Sequence, residues 1–190
     1  MKVGIVGVQG AVSEHEQVVR SLGHEAVRVT RPERLEGVSA LIIPGGESTT
    51  ISRLLESTGL FDEVRRLGEG GLPIYGTCAG LILLAKRGDS QVESAGQRLL
   101  GLMDVQILRN AFGRQRESFE AKLDIKGVAR GFPCVFIRAP AITKVWGGCK
   151  ALARFGKFTV AAEQDSLFVT AFHPELSGDN RVHEYFLSKV

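Results

Sequence analysis

The sequence has few cysteines, no long apolar run and almost no excess of charge of either sign. Three cysteines stand among 190 residues, at Cys78, Cys134 and Cys149. Their number is odd, and no Cys-x-x-Cys spacing occurs to hold a structural zinc. No apolar stretch approaches the length of a membrane span. The opening Met1-Lys2-Val3-Gly4-Ile5 has no signal-peptide pattern. Together these features predict a reduced, cytoplasmic setting, with one thiol reactive and the others filling core. The 24 Lys and Arg against 21 Asp and Glu leave a net charge of +3. A nucleic-acid partner would want a concentrated basic face, so neither nucleic acid nor membrane is expected. There is no internal repeat and no low-complexity stretch.

What is present is ordinary for a globular chain. A hydrophobic fraction of 44% and a charged fraction of 24% argue against disorder, collagen and coiled coil. A chain of this length buries roughly 70% of the surface it would expose unfolded, enough for a core without staples. The 23 glycines point to tight turns or backbone-lined sites.

The first half alternates short apolar runs with amphipathic ones. Strands are predicted over Lys2–Val8, Glu25–Val29, Ala40–Ile43 and Pro73–Gly76. Helices are predicted over Thr49–Glu56, Phe61–Leu67 and Ala79–Lys86. Another helix opens on Ser13-Glu14-His15-Glu16, read as a capping box, and stops at Gly23. This alternation implies parallel β-α-β units, a doubly wound sheet with helices on both faces. In the second half Leu102–Leu108, Phe119–Ile125, Val135–Arg138, Ala151–Phe155, Thr159–Glu163 and Leu167–Ala171 read as strands with short turns. They predict an antiparallel extension of that sheet, closed by a helix over Asp179–Lys189. Arg87–Gln97 is polar and reads as an exposed loop. The change of character near residue 100 suggests a boundary, but neither half offers a linker. A single domain over residues 1–190 is the expectation.

Several motifs fail on spacing. Gly4-x-x-Gly7-x-x-Gly10 is not a dinucleotide fingerprint, and no acidic residue ends the second strand. Pro44-Gly45-Gly46-Glu47-Ser48-Thr49 lacks the Gly-Lys-Ser/Thr ending of a phosphate loop. His173-x-Glu175 is followed by no Pro-Cys-x-x-Cys, and four dispersed histidines make no metal set.

Gly76-Thr77-Cys78-Ala79-Gly80 lies between a short apolar strand and a helix. This is the layout of a nucleophile elbow with Cys in place of Ser. Small flanking residues allow the sharp turn, and the helix N-terminus favours a thiolate. A buried thiol in a glycine-rich turn fits the same string. A thiolate nucleophile wants a histidine and a group to orient it. His173 and Glu175, two apart at the end of a strand, would share one side; an exposed His beside a solvated Glu fits equally well. His15, His24 and His183 are weaker candidates. Pro44-Gly45-Gly46-Glu47-Ser48 also follows an apolar strand. In a parallel sheet it opens at the same carboxyl edge as Cys78, where such folds bind ligands. Its N–H groups can face a developing oxyanion, and Ser48 fits a helix N-cap.

On these residues the chain resembles the triad-type (class I) glutamine amidotransferases. Finer strings resemble the glutaminase subunits of pyridoxal 5′-phosphate synthases within that family. They are Gln9-Gly10-Ala11, Pro44-Gly45-Gly46-Glu47-Ser48-Thr49-Thr50, Gly76-Thr77-Cys78-Ala79-Gly80-Leu81, Phe112-Gly113-Arg114-Gln115 with Ser118-Phe119-Glu120-Ala121, Phe136-Ile137-Arg138-Ala139-Pro140 and Phe172-His173-Pro174-Glu175-Leu176. The resemblance implies that Cys78 attacks the carboxamide of L-glutamine, that His173 carries the proton and that Glu175 orients it. It implies an oxyanion hole from the backbone N–H groups of Gly46 and Ala79. It places the substrate around Gly46, Glu47, Ser48, Arg109, Ile137 and Arg138. For any single Arg, a solvated surface charge is the default, and only the resemblance singles out Arg109 and Arg138. It further implies a synthase subunit as partner, forming a heteromeric complex that consumes the ammonia. Pyridoxal phosphate would be the product of that complex, so no cofactor is expected in this chain. Cys134 and Cys149 belong to no motif. Two readings compete with a glutaminase: a peptidase or chaperone-like relative with the same Cys elbow, and a binding module that regulates a partner without chemistry.

Overall fold

The structure, a computed structural model, describes residues 1–113 and 118–190. The chain runs β1 (Lys2–Val6), α1 (Val12–Ser21), β2 (Glu25–Val29), a 3-10 turn (Pro32–Leu35), β3 (Ala40–Ile43), α2 (Ser48–Ser57), α3 (Leu60–Glu69), β4 (Ile74–Thr77) and α4 (Ala79–Leu84). It continues through β5 (Ala85–Arg87), α5 (Ser90–Ser94), β6 (Met103–Leu108), β7 (Ser118–Ile125), β8 (Ala129–Ile137), β9 (Ala141–Val145), β10 (Lys150–Phe155), β11 (Phe158–Gln164) and β12 (Leu167–Thr170). A 3-10 turn (Pro174–Leu176) and α6 (Arg181–Leu187) close it.

One sheet organises the fold, in the order β2-β1-β3-β4-β12-β11-β9-β6-β5, with β10 added on β11. From β2 to β12 every neighbouring pair is parallel. Beyond β12, the pairs to β11, β9 and β6 are antiparallel. Strands β3, β4 and β12 are buried at every residue, as a parallel sheet covered on both faces demands. Strands β7 and β8 form a separate antiparallel ribbon. This is the predicted mostly parallel, doubly wound sheet with an antiparallel extension.

Local expectations differ at informative places. Helix α1 begins at Val12, and its N-cap position, Ala11, makes no side-chain cap, so Ser13 and Glu16 form no capping box. Glu16 is buried instead and takes two hydrogen bonds from the Arg28 guanidinium, at 2.9 and 3.2 Å. Helix α4 ends at Leu84 rather than Lys86, and the chain passes directly into β5, paired with β6. All six residues of α4 are buried, and a uniformly apolar run carries no period to separate helix from strand. The predicted loop over Arg87–Gln97 contains α5, capped by the Asp89 carboxylate on the N–H groups of Gln91 and Val92. Strand β8 begins six residues before its predicted start and contains Pro133, which an edge strand tolerates; among the described residues β8 pairs with β7 alone. Strand β9 was not expected. Of the string Phe112–Gln115, Arg114 and Gln115 lie outside the described residues. Among the described residues, no helix is long and apolar enough to cross a membrane.

Candidate active site

The loops after β1, β3, β4 and β12 all leave the carboxyl edge of the parallel strands, and the site is built where they meet. Cys78 is the residue between β4 and α4. Its φ is 49° and its ψ is −97°, a left-handed conformation that costs a non-glycine residue of order 1–3 kcal/mol. Its N–H donates to the Thr170 carbonyl of β12 at 2.8 Å, and its carbonyl accepts from Ile82 at 3.3 Å. The flanking glycines are needed for space. A Cβ on Gly80 would lie 2.2 Å from the Ile43 carbonyl oxygen, and one on Gly76 would lie 2.6 Å from the Gly80 carbonyl carbon.

The loop after β3 is packed just as closely. A Cβ on Gly45 would lie 2.3 Å from His173 Cε1, and one on Gly46 would lie 2.4 Å from the Gln9 side-chain oxygen. The turn after β1 grips this loop twice. Ala11 N–H donates to the Gly45 carbonyl at 3.0 Å, and Gln9 Oε1 accepts from the Glu47 N–H at 2.9 Å. Glu47, not Ser48, caps α2, and its carboxylate accepts from the N–H groups of Thr49 and Thr50 and from the Thr50 hydroxyl. Burial pushes that carboxyl up, but the Thr50 and Thr49 donors outweigh it and hold it below its usual range. Ser48 is the first helical residue, and its hydroxyl donates to buried Gln97 at 3.2 Å.

His173 and Glu175 are joined, but not by strand alternation. Strand β12 ends at Thr170, and Pro174–Leu176 is a 3-10 turn that folds the Glu175 carboxylate onto His173. Glu175 Oε1 accepts from His173 Nδ1 at 2.7 Å, and the Glu175 side chain is wholly buried. The His173 N–H donates to the Val135 carbonyl at 2.8 Å, tying the turn to β8. Burial lowers the proton affinity of His173, but Cys78 and Glu175 outweigh it and raise its pKa to about 10. Burial raises the Glu175 carboxyl, and His15 and His173 reverse this to a net lowering.

A cavity of about 430 Å³ opens above these groups, lined by Gly46, Glu47, Ser48, Cys78, Ile82, Arg109, Asn110, Ile137, Arg138 and His173. All six residues assigned to substrate contacts lie on it. Arg109, at the end of β6, donates to the Thr49 hydroxyl at 3.3 Å and to the Glu47 carboxylate at 3.4 Å. Ile137 and Arg138 end β8 on the opposite side, and the Cys78 thiol faces the Ile137 carbonyl at 3.9 Å. Ala79 opens α4 and is buried outside the lining, so only its N–H is left for the oxyanion role. Asn110 and Ile82 were not singled out from sequence. Asn110 and Arg138, like Cys78, hold positive φ (48° and 41°), so strained backbone gathers around the cavity.

The sequence ranks His15 and His183 only as weaker candidates. Both are fully buried directly behind Glu175. Helical periodicity placed them only on helices, and the contact between α1 and α6 has no sequence signal. Cys134 and Cys149 lie away from the cavity, and burial pushes their thiols up to about 12 and about 11.

The geometry has close counterparts. Residues 5–190 match the SNO glutamine amidotransferase family. A pyridoxal 5′-phosphate synthase subunit PdxT from Pelotomaculum thermopropionicum is 54% identical over 190 residues, covering 100% of this chain and 95% of the relative. The subunit of the same name from Geobacillus kaustophilus is 50% identical over 190 residues, with the same coverage. A crystal structure of a glutamine amidotransferase superposes with a TM-score of 0.92 at 45% identity, covering 98% of this chain and 97% of that one. The chain therefore belongs to the SNO glutamine amidotransferase family.

Proposed function

We propose that the chain hydrolyses L-glutamine to L-glutamate and ammonia, as the glutaminase subunit of a pyridoxal 5′-phosphate synthase. The observation that carries this reading is the His173–Glu175 pair, 2.7 Å apart, meeting Cys78 on a cavity edged by Glu47 and Arg109. Cys78 sulfur attacks the side-chain carboxamide carbon, and the carbonyl oxygen becomes an oxyanion. The N–H groups of Gly46 and Ala79 receive that charge. The thiol proton comes to rest on His173, whose affinity is raised for it, and leaves with the departing ammonia. Water then attacks the thioester with His173 as base, which frees glutamate and restores the thiol. Glu175 holds the imidazole and its cation throughout. At the other end of the substrate, the Arg109 guanidinium suits the α-carboxylate and the Glu47 carboxylate suits the α-ammonium.

The reaction needs no cofactor, and pyridoxal phosphate is the product of the whole complex. The partner is the synthase subunit in a heteromeric assembly; neither nucleic acid nor membrane has a role. We place the chain in the cytoplasm, as one amidotransferase domain over residues 1–190. Ammonia protonates at neutral pH and is then a poor nucleophile, so its release belongs with a docked consumer. The Gln9-Gly10-Ala11 turn grips the Gly45–Glu47 loop, so a partner docking on that turn would move the oxyanion donors.

A glutamine-mimicking diazo-ketone followed by peptide mass spectrometry tests the reading. Labelling of Cys78, blocked by glutamine, is expected, as is glutamate release that rises several-fold when the synthase subunit is added. Absence of labelling with and without that subunit would favour a binding module and overturn the proposal. Equal turnover with and without the subunit would sink the coupling alone.

A further inference from the structure

Behind the candidate triad lies a row of polar groups cut off from water. Glu175 Oε1 is taken by His173, but among the described residues Glu175 Oε2 is buried without a hydrogen-bond partner. A bare carboxylate oxygen in such a place is costly. His15 Nε2 faces it at 3.5 Å, and both side chains have no exposure. The same nitrogen lies 3.2 Å from the Thr77 hydroxyl, one residue before Cys78 on β4. On the other side of the ring, His15 Nδ1 is 2.9 Å from His183 Nε2 on α6. Tyr75 sets its ring edge-on to both imidazoles, with centroids 6.4 and 5.8 Å away.

These contacts assign the protons. A bare His15 Nε2 would aim a lone pair at a carboxylate, so Nε2 carries the hydrogen, offers it to the Thr77 hydroxyl at 3.2 Å and sets its positive end 3.5 Å from Glu175 Oε2. His15 Nδ1 is then an acceptor, and His183 Nε2 must donate to it. His183 Nδ1 is left as a bare acceptor, in agreement with its having no hydrogen-bond partner among the described residues. Burial lowers both imidazoles, His183 to about 3, so the pair is neutral and acts through N–H direction.

We infer that His15, oriented by His183, is a positioning residue for glutamine hydrolysis: it holds Glu175 so that Oε1 stays on His173 Nδ1. The inference rests on the glutaminase reading above. His15 touches neither substrate nor the reacting atoms. Its Nε2–H joins the strand that leads into Cys78 to the turn that carries Glu175, so the two sides of the site keep one spacing. A carboxylate released from that N–H turns toward the few remaining donors, and His173 loses its fixed tautomer.

Kinetics of His15→Leu and His15→Gln in the complex with the synthase subunit test this. His15→Leu should lower kcat for glutamine hydrolysis about tenfold or more, with the glutamine KM within about twofold, a fraction of the loss that follows a wrong His tautomer elsewhere. His15→Gln restores an N–H donor and should recover most of the rate. Wild-type kcat in His15→Leu would overturn the inference, as would equal losses in both variants or a loss confined to KM. If His15→Leu fails to fold, His183→Leu decides: it frees the tautomer of His15, and an unchanged kcat would overturn the assignment. Failure of the glutaminase reading would show separately, as a wild-type complex that releases no glutamate. In that case nitrogen NMR of the free chain still reads His15, because the hydrogen-bonded Nδ1–H of His173 must be perturbed in His15→Leu and unchanged in His15→Gln; no perturbation in His15→Leu overturns the inference.

Discussion

In the parallel half of the sheet, backbone meets backbone so closely that only glycine fits. Cβ atoms on Gly10, Gly76 and Gly80 would lie 2.0, 2.6 and 2.2 Å from main-chain atoms of Gly45, Gly80 and Ile43. The antiparallel strands and the separate β7–β8 ribbon contribute by reach instead. Arg109 extends from β6 to Glu47 and Thr49, Ile137 and Arg138 edge the cavity from β8, and the Val135 carbonyl holds His173. Gly127, in the β7–β8 turn, and Gly131, in β8, have nothing within 4 Å of an added Cβ among the described residues. The first half therefore fixes where the attacking atom sits. The second decides what lies against it, and tolerates change away from the cavity.

The thiols test that division most severely. Cys78 follows β4 in the parallel half, while Cys134 lies in β8 and Cys149 just before β10. Cys78→Ala should abolish glutamate release, whereas Cys134→Ala with Cys149→Ala should leave most of it. The buried thiols are pushed up to about 12 and about 11 and stay protonated at neutral pH. Turnover in a Cys78→Ala preparation at the wild-type level would break both the assignment and the comparison.

The seam between the halves comes next in size. Glu175→Gln keeps the shape of the side chain but removes its charge. It should slow hydrolysis while glutamine binding, measured calorimetrically, survives. The same change has a pH signature. His173 rises from 6.5 to about 10 on folding, so its stabilising share is complete below pH 6.5 and is lost as pH climbs through about 10. Part of that rise comes from Glu175. Melting temperatures measured from pH 6 to 10 should therefore fall less steeply in Glu175→Gln than in the wild type. Parallel curves would show that Glu175 does not set the affinity of His173.

Legibility in the sequence followed the same division. The parallel half could be read because each strand is a short apolar run ending in a glycine-bearing loop, and the elbow at Gly76–Gly80 names its own geometry. The Pro44–Thr50 loop was likewise readable, although the capping group proved to be Glu47. The substrate-facing residues Arg109, Ile137 and Arg138 were legible only through resemblance, since nothing local marks them. Strand β9 escaped because its partners, β6 and β11, are distant in sequence, and the start of β8, paired with neighbouring β7, has no apolar period of its own. Glu175 was rightly joined to His173 for the wrong reason, a 3-10 turn standing where strand alternation was expected. His15 ranked only as a weaker candidate because its partners, Thr77, Glu175 and His183, come from three distant segments.

The smallest effect is expected from one methyl group added at Gly127, and the same change at Gly80 gives the most direct contrast between the halves. At Gly80 the added Cβ meets the Ile43 carbonyl at 2.2 Å, main chain against main chain, with no side chain free to give way. Strand β3 and helix α4 must separate, and Cys78, two residues earlier, moves with the helix. Gly80→Ala should lose most activity along with stability. At Gly127, in the turn between β7 and β8, the added Cβ meets nothing within 4 Å among the described residues. Its cost is conformational only, because φ is 73°, where an L-residue is disfavoured by about 1–2 kcal/mol. In a chain of this size each kcal/mol moves the midpoint by about 2–4 °C, so Gly127→Ala should melt a few degrees lower. Gly127→Asn should recover part of that loss, since Asn tolerates the left-handed region better than Ala. Glutamine turnover should be unchanged in both Gly127 variants, because the turn is remote from the residues lining the cavity. A Gly127→Ala chain that melted normally but lost turnover would show that the β7–β8 ribbon positions the site as tightly as the parallel strands do, and the contrast between close approach and reach would fail.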